Sequence, residues 1–280
     1  ALALTAAGPA SAQTINYGDL EALFKEPVTT SATGKPQRQT EVPVTMDIIS
    51  AEDIRRSGAN DIPEVLRSVA GVDVWRWSNG SSDVGVRGYN QAYSPRLLVL
   101  VNGRQVYLDH YGLTTWSAIP VELSEIRQIE VVKGPNSALF GFNAAAGVIN
   151  IVTYSPLHDR GSSGTVRLGS NGYREASGAV SVPVSDRGGL RLSAGLREQH
   201  PWNHGFDAVD TQFGGRTTPS RVSFAADSLV RVTDNVHAGF DASYARVLGS
   251  ELMTSGFMPG WDRTVWSVRG RVSADTAYGL

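Results

Sequence analysis

The chain contains no cysteine, which excludes a disulfide scaffold, thiolate metal centres and a cysteine nucleophile. It also has no apolar run near the roughly 18 residues that a membrane-spanning helix requires. Neither sign of charge dominates: 25 Lys and Arg stand against 27 Asp and Glu, so the bulk charge argues for no nucleic-acid partner. Catalytic signatures are missing too. There is no Gly-x-Ser-x-Gly elbow and no His-Glu-x-x-His pair, and Gly134 to Gly141 lacks the Lys-Ser/Thr ending of a phosphate loop. His200 and His204 enclose Pro201 and precede Gly205, a poor frame for a helical metal pair, and an exposed loop is the default there. No sequence argument pairs two carboxylates for acid–base work. An enzyme, a cofactor and a metal are therefore not expected.

Glycine is what the chain has in excess, at 30 of 280 residues, where ~7% is usual. Ala1 to Ala12 is a short apolar run ending in Ala10-Ser11-Ala12, and it reads as the back half of a secretory signal peptide. Residues 13–41 are polar and carry Pro27, Gly34 and Pro36, so they are expected to be extended and mobile. From Val42 the pattern is mixed α/β. Ser50 to Asp53 resembles a capping box for a helix over 51–57 stopped by Gly58, and Asn60 or Asp61 can cap a second helix that ends at Gly71. Strands are expected over 72–77, 84–88, 96–101, 126–133 and 147–154, with Asn102-Gly103 as a hairpin turn. This is a domain of its own, over residues 42–156.

After residue 157 the grain changes. Leu190, Leu192, Ala194 and Leu196 alternate with Arg191, Ser193, Gly195 and Arg197, and residues 236–244 and 268–272 repeat the pattern. Period-2 strands of about ten residues between polar turns are the signature of a transmembrane β-barrel, although a soluble sandwich uses the same alternation. The stretch after Pro156 holds roughly 7–9 such strands. That is too few to enclose a domain of about 100 residues, so an open, curved sheet along one side of residues 42–156 is expected.

Residues 42–154 also resemble the plug domain of TonB-dependent outer-membrane receptors. The matching stretches are Ile48 to Ile54 through Gly58, Ile62-Pro-Glu-Val-Leu66 into Gly71-Val72, Val86-Arg-Gly88 and Leu97 to Arg104. They continue with Ile129-Glu-Val-Val-Lys-Gly-Pro135 and Ser137 to Gly141 through Val152. Lys133 departs from the Arg more usual in the family, and Ala144 to Ala146 are smaller than the usual side chains. The resemblance implies an α+β plug inside an antiparallel outer-membrane barrel of about 22 strands. Such a receptor takes up a scarce ligand, an iron–siderophore or related metal chelate, with an energy transducer of the TonB type as its inner-membrane partner. Outer-membrane lipid and an extracellular small ligand (siderophore, haem, cobalamin or glycan) are the other implied partners. A passive porin-like or structural outer-membrane protein is the alternative, and residues 42–154 argue against it.

Three groups of site residues follow from the resemblance. The candidate TonB box, able to add as a strand to a partner's sheet edge, is Glu26, Pro27, Val28, Thr29, Thr30, Ser31 and Ala32, with a plain linker as the alternative. Arg87, Glu130 and Lys133 are expected to make polar contacts between plug and barrel, against ordinary solvation at strand ends. Tyr89, Tyr93, Ser94, Tyr107, His110, Tyr111 and Trp116 are expected as ligand contacts on neighbouring outward loops, against packing on the barrel wall.

Overall fold

The computed structural model describes residues 16–24, 26–29, 37–78, 80–90, 96–107, 114–141, 143–201, 218–250 and 260–274. The signal remnant at 1–12, together with Thr30, Ser31, Ala32, Tyr93, Ser94, His110 and Tyr111, lies outside them.

Two apolar strands form the centre of the plug. β8 (Ile126–Lys133) and β9 (Gly147–Thr153) pair antiparallel, and every residue of β9 is buried. β6 (Leu97–Val101) runs parallel to β9, and β7 (Arg104–Gln105) follows it through Asn102-Gly103. Both turn residues have positive φ, 49° and 75°, as a two-residue hairpin of matching twist requires. β3 (Met46–Ser50) adds on the other side of β8, a strand that the capping signal at Ser50 hid.

Over this sheet lie α2 (Ala51–Ser57) and α3 (Ile62–Leu66). α2 has the expected reciprocal Ser50–Asp53 capping box and an αL Gly58, while Asp61 caps α3. Ile54, Val65 and Leu66 pack there with Ile129, Val131 and Ile149 in the main core. β4 (Val72–Arg76) and β5 (Ser82–Val86) form a separate hairpin.

Residues 13–41 are not simply extended. α1 (Tyr17–Phe24) is a helix, with Tyr17 buried beneath the Arg127 guanidinium. Arg127 also binds Glu21 at 2.8 Å and Asp159 at 3.0 Å, so one guanidinium ties the helix to the segment that leads out of the plug.

β10 (Gly161–Leu168), β11 (Arg174–Ser185), β12 (Gly188–Glu198), β13 (Ser220–Thr233), β14 (Val236–Ser250) and β15 (Gly260–Ala274) form one antiparallel sheet in sequence order. The described strands number six rather than 7–9, because β13 to β15 run 14 or 15 residues instead of ten. The sheet is open, as expected.

Burial decides between barrel and sandwich. On β12 and β13 the buried side chains are Arg191, Ser193, Arg221, Ser223 and Asp227 with one apolar residue, Leu229, while Leu196, Val222 and Phe224 are exposed. Trp266, Val268 and Val272 on β15 are exposed as well. A soluble sandwich would turn the apolar set inward, and an apolar face this continuous is unstable in water. A sheet that is polar inside and apolar outside is a piece of a membrane barrel wall. Among the described residues no helix is long and apolar enough to cross a membrane. β11–β12 and β13–β14 are joined by two residues each, and the longer connections lie at the other end. Short turns mark the periplasmic end of such barrels, which is also where Gly189 meets Pro156 of the plug-to-wall linker.

Candidate functional site

The plug meets the wall through buried charge. A 3-10 turn at Leu123–Glu125 follows Glu122 and leads into β8. The Glu122 amide donates to Glu125 Oε1 at 2.8 Å, and the Glu125 amide donates back to the Glu122 carbonyl at 3.0 Å. This local closure presents both carboxylates to β12 and β13. Arg221 Nη1 and Ser223 Oγ each donate to Glu122 Oε1 at 2.5 Å, and Arg221 Nη2 donates to the Ile119 carbonyl at 2.8 Å. Ser193 Oγ donates to Glu125 Oε1 at 3.1 Å, and Arg191 Nε lies 3.3 Å from Glu125 Oε2 without hydrogen-bonding it. Arg191 also donates to the Tyr154 carbonyl.

Glycine makes this approach possible. A Cβ on Gly195 would collide with the Glu122 carboxyl group, so the bare backbone of β12 is the socket into which that carboxylate fits.

The two carboxylates titrate in opposite senses. Burial works against the charge of Glu122, but Arg221 and Ser223 outweigh it and hold the group below the ordinary 4.5. For Glu125 burial prevails over the nearby Arg191 and pushes the carboxyl up. The pairing of Arg191 with Glu125 is thus a contact of charge without a directed hydrogen bond, and burial is the stronger influence.

The seam continues as a row of charge on the inner wall. Arg191 on β12 lies 3.5 Å from Asp227 on β13. Asp227 sits directly across from Asp241 on β14, an unfavourable pair on its own. Arg271 from β15 resolves it by reaching Asp227 at 2.7 Å and Asp241 at 3.3 Å, while Arg269 takes Asp241 at 2.7 Å. Arg271 crosses β14 over Gly239, where a Cβ would lie 2.7 Å from its Nε. The wall's inner glycines therefore give passage to charged side chains, a role the alternation alone does not reveal.

The family-derived contacts lie elsewhere. Glu130 is fully buried inside the plug, accepting from Gln128 Nε2 at 2.7 Å and Asn150 Nδ2 at 3.1 Å. Lys133 binds Asp47 at 2.5 Å and the Ala70 carbonyl at 3.0 Å. Arg87 bonds through its amide to the Gly71 carbonyl at 2.8 Å, and its guanidinium lies against Gly134. These described partners all belong to the plug, while against the six described wall strands the buried carboxylates of the plug are Glu122 and Glu125. The signal missed was a Glu-x-x-Glu pair just before the first central strand, opposite Arg and Ser on the polar face of two wall strands.

Of the candidate TonB box, β1 (Val28–Thr29) pairs antiparallel with β2 (Gln37–Arg38), and both of its residues are fully buried. Gln128 Nε2 donates to the Val28 carbonyl at 2.9 Å while holding Glu130. Glu26 binds Arg38 at 3.3 Å, and Gln39 donates through its amide to the Pro27 carbonyl at 3.1 Å. Its described residues, Glu26 to Thr29, are stowed against the plug.

Among the ligand candidates, Trp116 is buried and packs in the main core. Tyr107 is partly exposed and lines a gap beside Ser243 and Trp266 of the wall. Tyr89 is exposed beyond the end of β5, away from the β4–β5 tip. Sequence reading passed over Trp75 and Trp77 near that tip, which meet edge to face at 5.7 Å between ring centroids.

A plug seated on a lipid-facing barrel wall through ionic contacts defines a plugged outer-membrane β-barrel. Residues 38–148 match the family described as TonB-dependent Receptor Plug Domain. The chain is 32% identical over 197 residues to the vitamin B12 transporter BtuB of Vibrio vulnificus, covering 69% of this chain and 31% of that protein. Among solved structures, the ferripyoverdine receptor of Pseudomonas aeruginosa superposes with a TM-score of 0.68 at 16% identity, covering 88% of this chain and 34% of that one. The alcaligin receptor FauA of Bordetella pertussis gives 0.66 at 16% identity, covering 88% and 39%. The chain belongs to the TonB-dependent receptors of the outer membrane, a family of transporters and receptors rather than enzymes. It spans about a third of the length of the curated relatives it matches.

Proposed function

We propose that this chain is the plug and first wall strands of a receptor that takes up a scarce metal chelate by active transport, with a TonB-type transducer as its inner-membrane partner. The observation that carries the reading is the plug–wall seam. Once the seam opens, water can take over the partners of its Glu122–Arg221 and Glu125–Arg191 contacts, whereas a dry apolar seam of the same size would expose surface that water does not compensate. β1, at the plug's buried surface, needs only backbone groups to join another sheet edge, so a loose sequence serves. The sequence relatives are named vitamin B12 transporters and the structural neighbours include siderophore receptors, and both ligand types are metal chelates. A passive pore would gain nothing from a stowed strand or a plug held by charge.

The test is deletion of residues 26–32 in the full-length protein, with cyanocobalamin and ferric siderophores supplied separately. Uptake of one of them should stop while its binding at the cell surface persists. Uptake that continues unchanged would refute energised transport through this segment.

A further inference from the structure

The helix α1 packs on β1. Tyr17 is 3% exposed and meets Val28 and Val152, with Leu20 beside it, in a small apolar cluster apart from the main core of the plug. Gly18, Asp19, Ala22 and Leu23 are exposed. Towards the start of the helix the Arg127 guanidinium covers the Tyr17 ring at 5.5 Å and binds Glu21 at 2.8 Å. At its end the Arg38 guanidinium of β2 lies 5.9 Å from the centre of the Phe24 ring, and Arg38 is the register partner of Val28. The helix is therefore pinned at both ends across the β1–β2 pair, with Tyr17 closing over Val28.

None of these anchors is strong. A helix of eight residues is too short to persist alone in water, where about 12–15 are needed, so α1 keeps its form only while docked. It is held by one buried ring, two cation–π contacts and one ion pair to a partly exposed carboxylate, each of modest worth. Arg127 gives its other terminal nitrogen to Asp159 at 3.0 Å, so the helix is fastened at the joint between plug and wall. While the helix stays, β1 is closed. β2 takes one edge of the strand, Gln128 holds the Val28 carbonyl, and Tyr17 covers the Val28 side chain. Val28 and Thr29 are both 0% exposed, so a second sheet edge cannot reach them in this arrangement. Only residues 25–27 separate the helix from the strand, so lifting one draws on the other.

We infer that α1 is an autoinhibitory lid, which holds β1 shut against the transducer and releases it by lifting and unwinding. The inference rests on the uptake reading above and adds the element that gates its partner strand. A partner that needs β1 open binds in proportion to the open fraction. Weakening the lid therefore raises the partner's apparent affinity without altering the strand. Tyr17 and Leu20 lie outside the main core, so the lid can lift while the rest of the plug stays folded.

The test uses the full-length receptor in detergent micelles, free of other cysteines, with Val28→Cys as a reporter that maleimide reaches only when the lid is up. In that background Tyr17→Ala should speed labelling about tenfold, ~1.4 kcal/mol, and Glu21→Gln about threefold. Tyr17→Phe keeps the ring and should retain most of the protection. With Val28 intact, the purified periplasmic domain of the transducer should bind the Tyr17→Ala receptor about tenfold more tightly than the parent. Hydrogen exchange at the β8–β9 amides should stay at the parent's level. Labelling unchanged in both variants, or faster labelling with unchanged transducer affinity, would overturn the inference. So would a matching loss of β8–β9 protection, which would make α1 a structural brace. Unchanged labelling with uptake that depends on residues 26–32 sinks the lid alone. Faster labelling with uptake indifferent to those residues keeps α1 as the cover of β1 and sinks the uptake reading alone.

Discussion

Replacing Arg221 with Met should loosen the plug from the wall more than any change at Arg87, Glu130 or Lys133. The substitution removes Nη1 from Glu122 and Nη2 from the Ile119 carbonyl, and leaves a carboxylate buried with Ser223 as its remaining donor from the wall. Removing one partner of a buried ion pair costs about 3–5 kcal/mol, chiefly because the other charge stays behind. Glu122→Gln keeps an acceptor for Arg221 and Ser223 while losing the charge, so it should cost less, about 1–3 kcal/mol. The double variant should cost less than the sum of the two, since an uncharged thioether would then face a neutral amide. Native-state hydrogen exchange at the Tyr154 amide reads this, because Tyr154 donates to the Glu125 carbonyl at 3.0 Å within the seam. Protection should fall strongly in Arg221→Met, less in Glu122→Gln, with a coupling above about 1 kcal/mol from the cycle. Additive effects with no coupling would refute the assignment of this pair as the plug's clasp.

Two further outcomes are expected. Glu125 has its folded pKa raised by burial, so its contribution to docking is complete below the ordinary 4.5 and declines as pH rises through the folded value. Glu122, held low by Arg221 against burial, behaves oppositely and loses its contribution only as pH falls through its folded value. The groups facing Glu125 are Arg191 and Glu122. Glu125→Gln should therefore flatten the fall in seam protection as pH rises above 4.5, and an unchanged pH profile would exclude Glu125 as its source. Gln128→Leu should free the Val28 carbonyl and the β1 segment. Limited proteolysis near Val28 and Thr29 should then accelerate several-fold while the β8–β9 amides stay protected, and an unaltered cleavage rate would place the hold on β1 elsewhere.

Much of the plug was legible because its signals are local. The Ser50–Asp53 box, the Asn102-Gly103 turn and the apolar runs of β8 and β9 each dictate conformation within a few residues. β3 was missed because Met46 to Ser50 is short and alternates weakly, and its place is set by pairing with β8. α1 was missed because its helix rests on one buried tyrosine and a cation from residue 127. In the wall, alternation gave the strands but not which face was inside. That answer came only when Arg191, Arg221 and Asp227 met the plug. The candidate site was less legible for the same reason, since Glu122 and Arg221 lie far apart in sequence and the Glu-x-x-Glu pair gains its meaning only where it meets the wall. Family resemblance instead pointed to Glu130, which is buried within the plug's own sheet.

The placement of Glu130 inside the plug and of Glu122 and Glu125 at the wall bears on how the plug can be both stable and movable. Glu130 draws its hydrogen bonds from Gln128 and Asn150 on the same sheet, so displacing the plug as a body breaks neither of them. Glu122 and Glu125 are held across the seam by β12 and β13, so the same displacement must break those contacts. Gln128 spans the two regimes, binding the Val28 carbonyl with the amide group that also holds Glu130. Tension applied to β1 therefore reaches the Gln128–Glu130 pair at the plug's centre before it reaches the wall. A neutral hydrogen bond contributes about 0.5–1.5 kcal/mol, against about 1.5–3 for one to a charged group. The Val28–Gln128 bond should therefore yield before the Glu122–Arg221 clasp, and the order of release runs from the stowed strand outward to the seam.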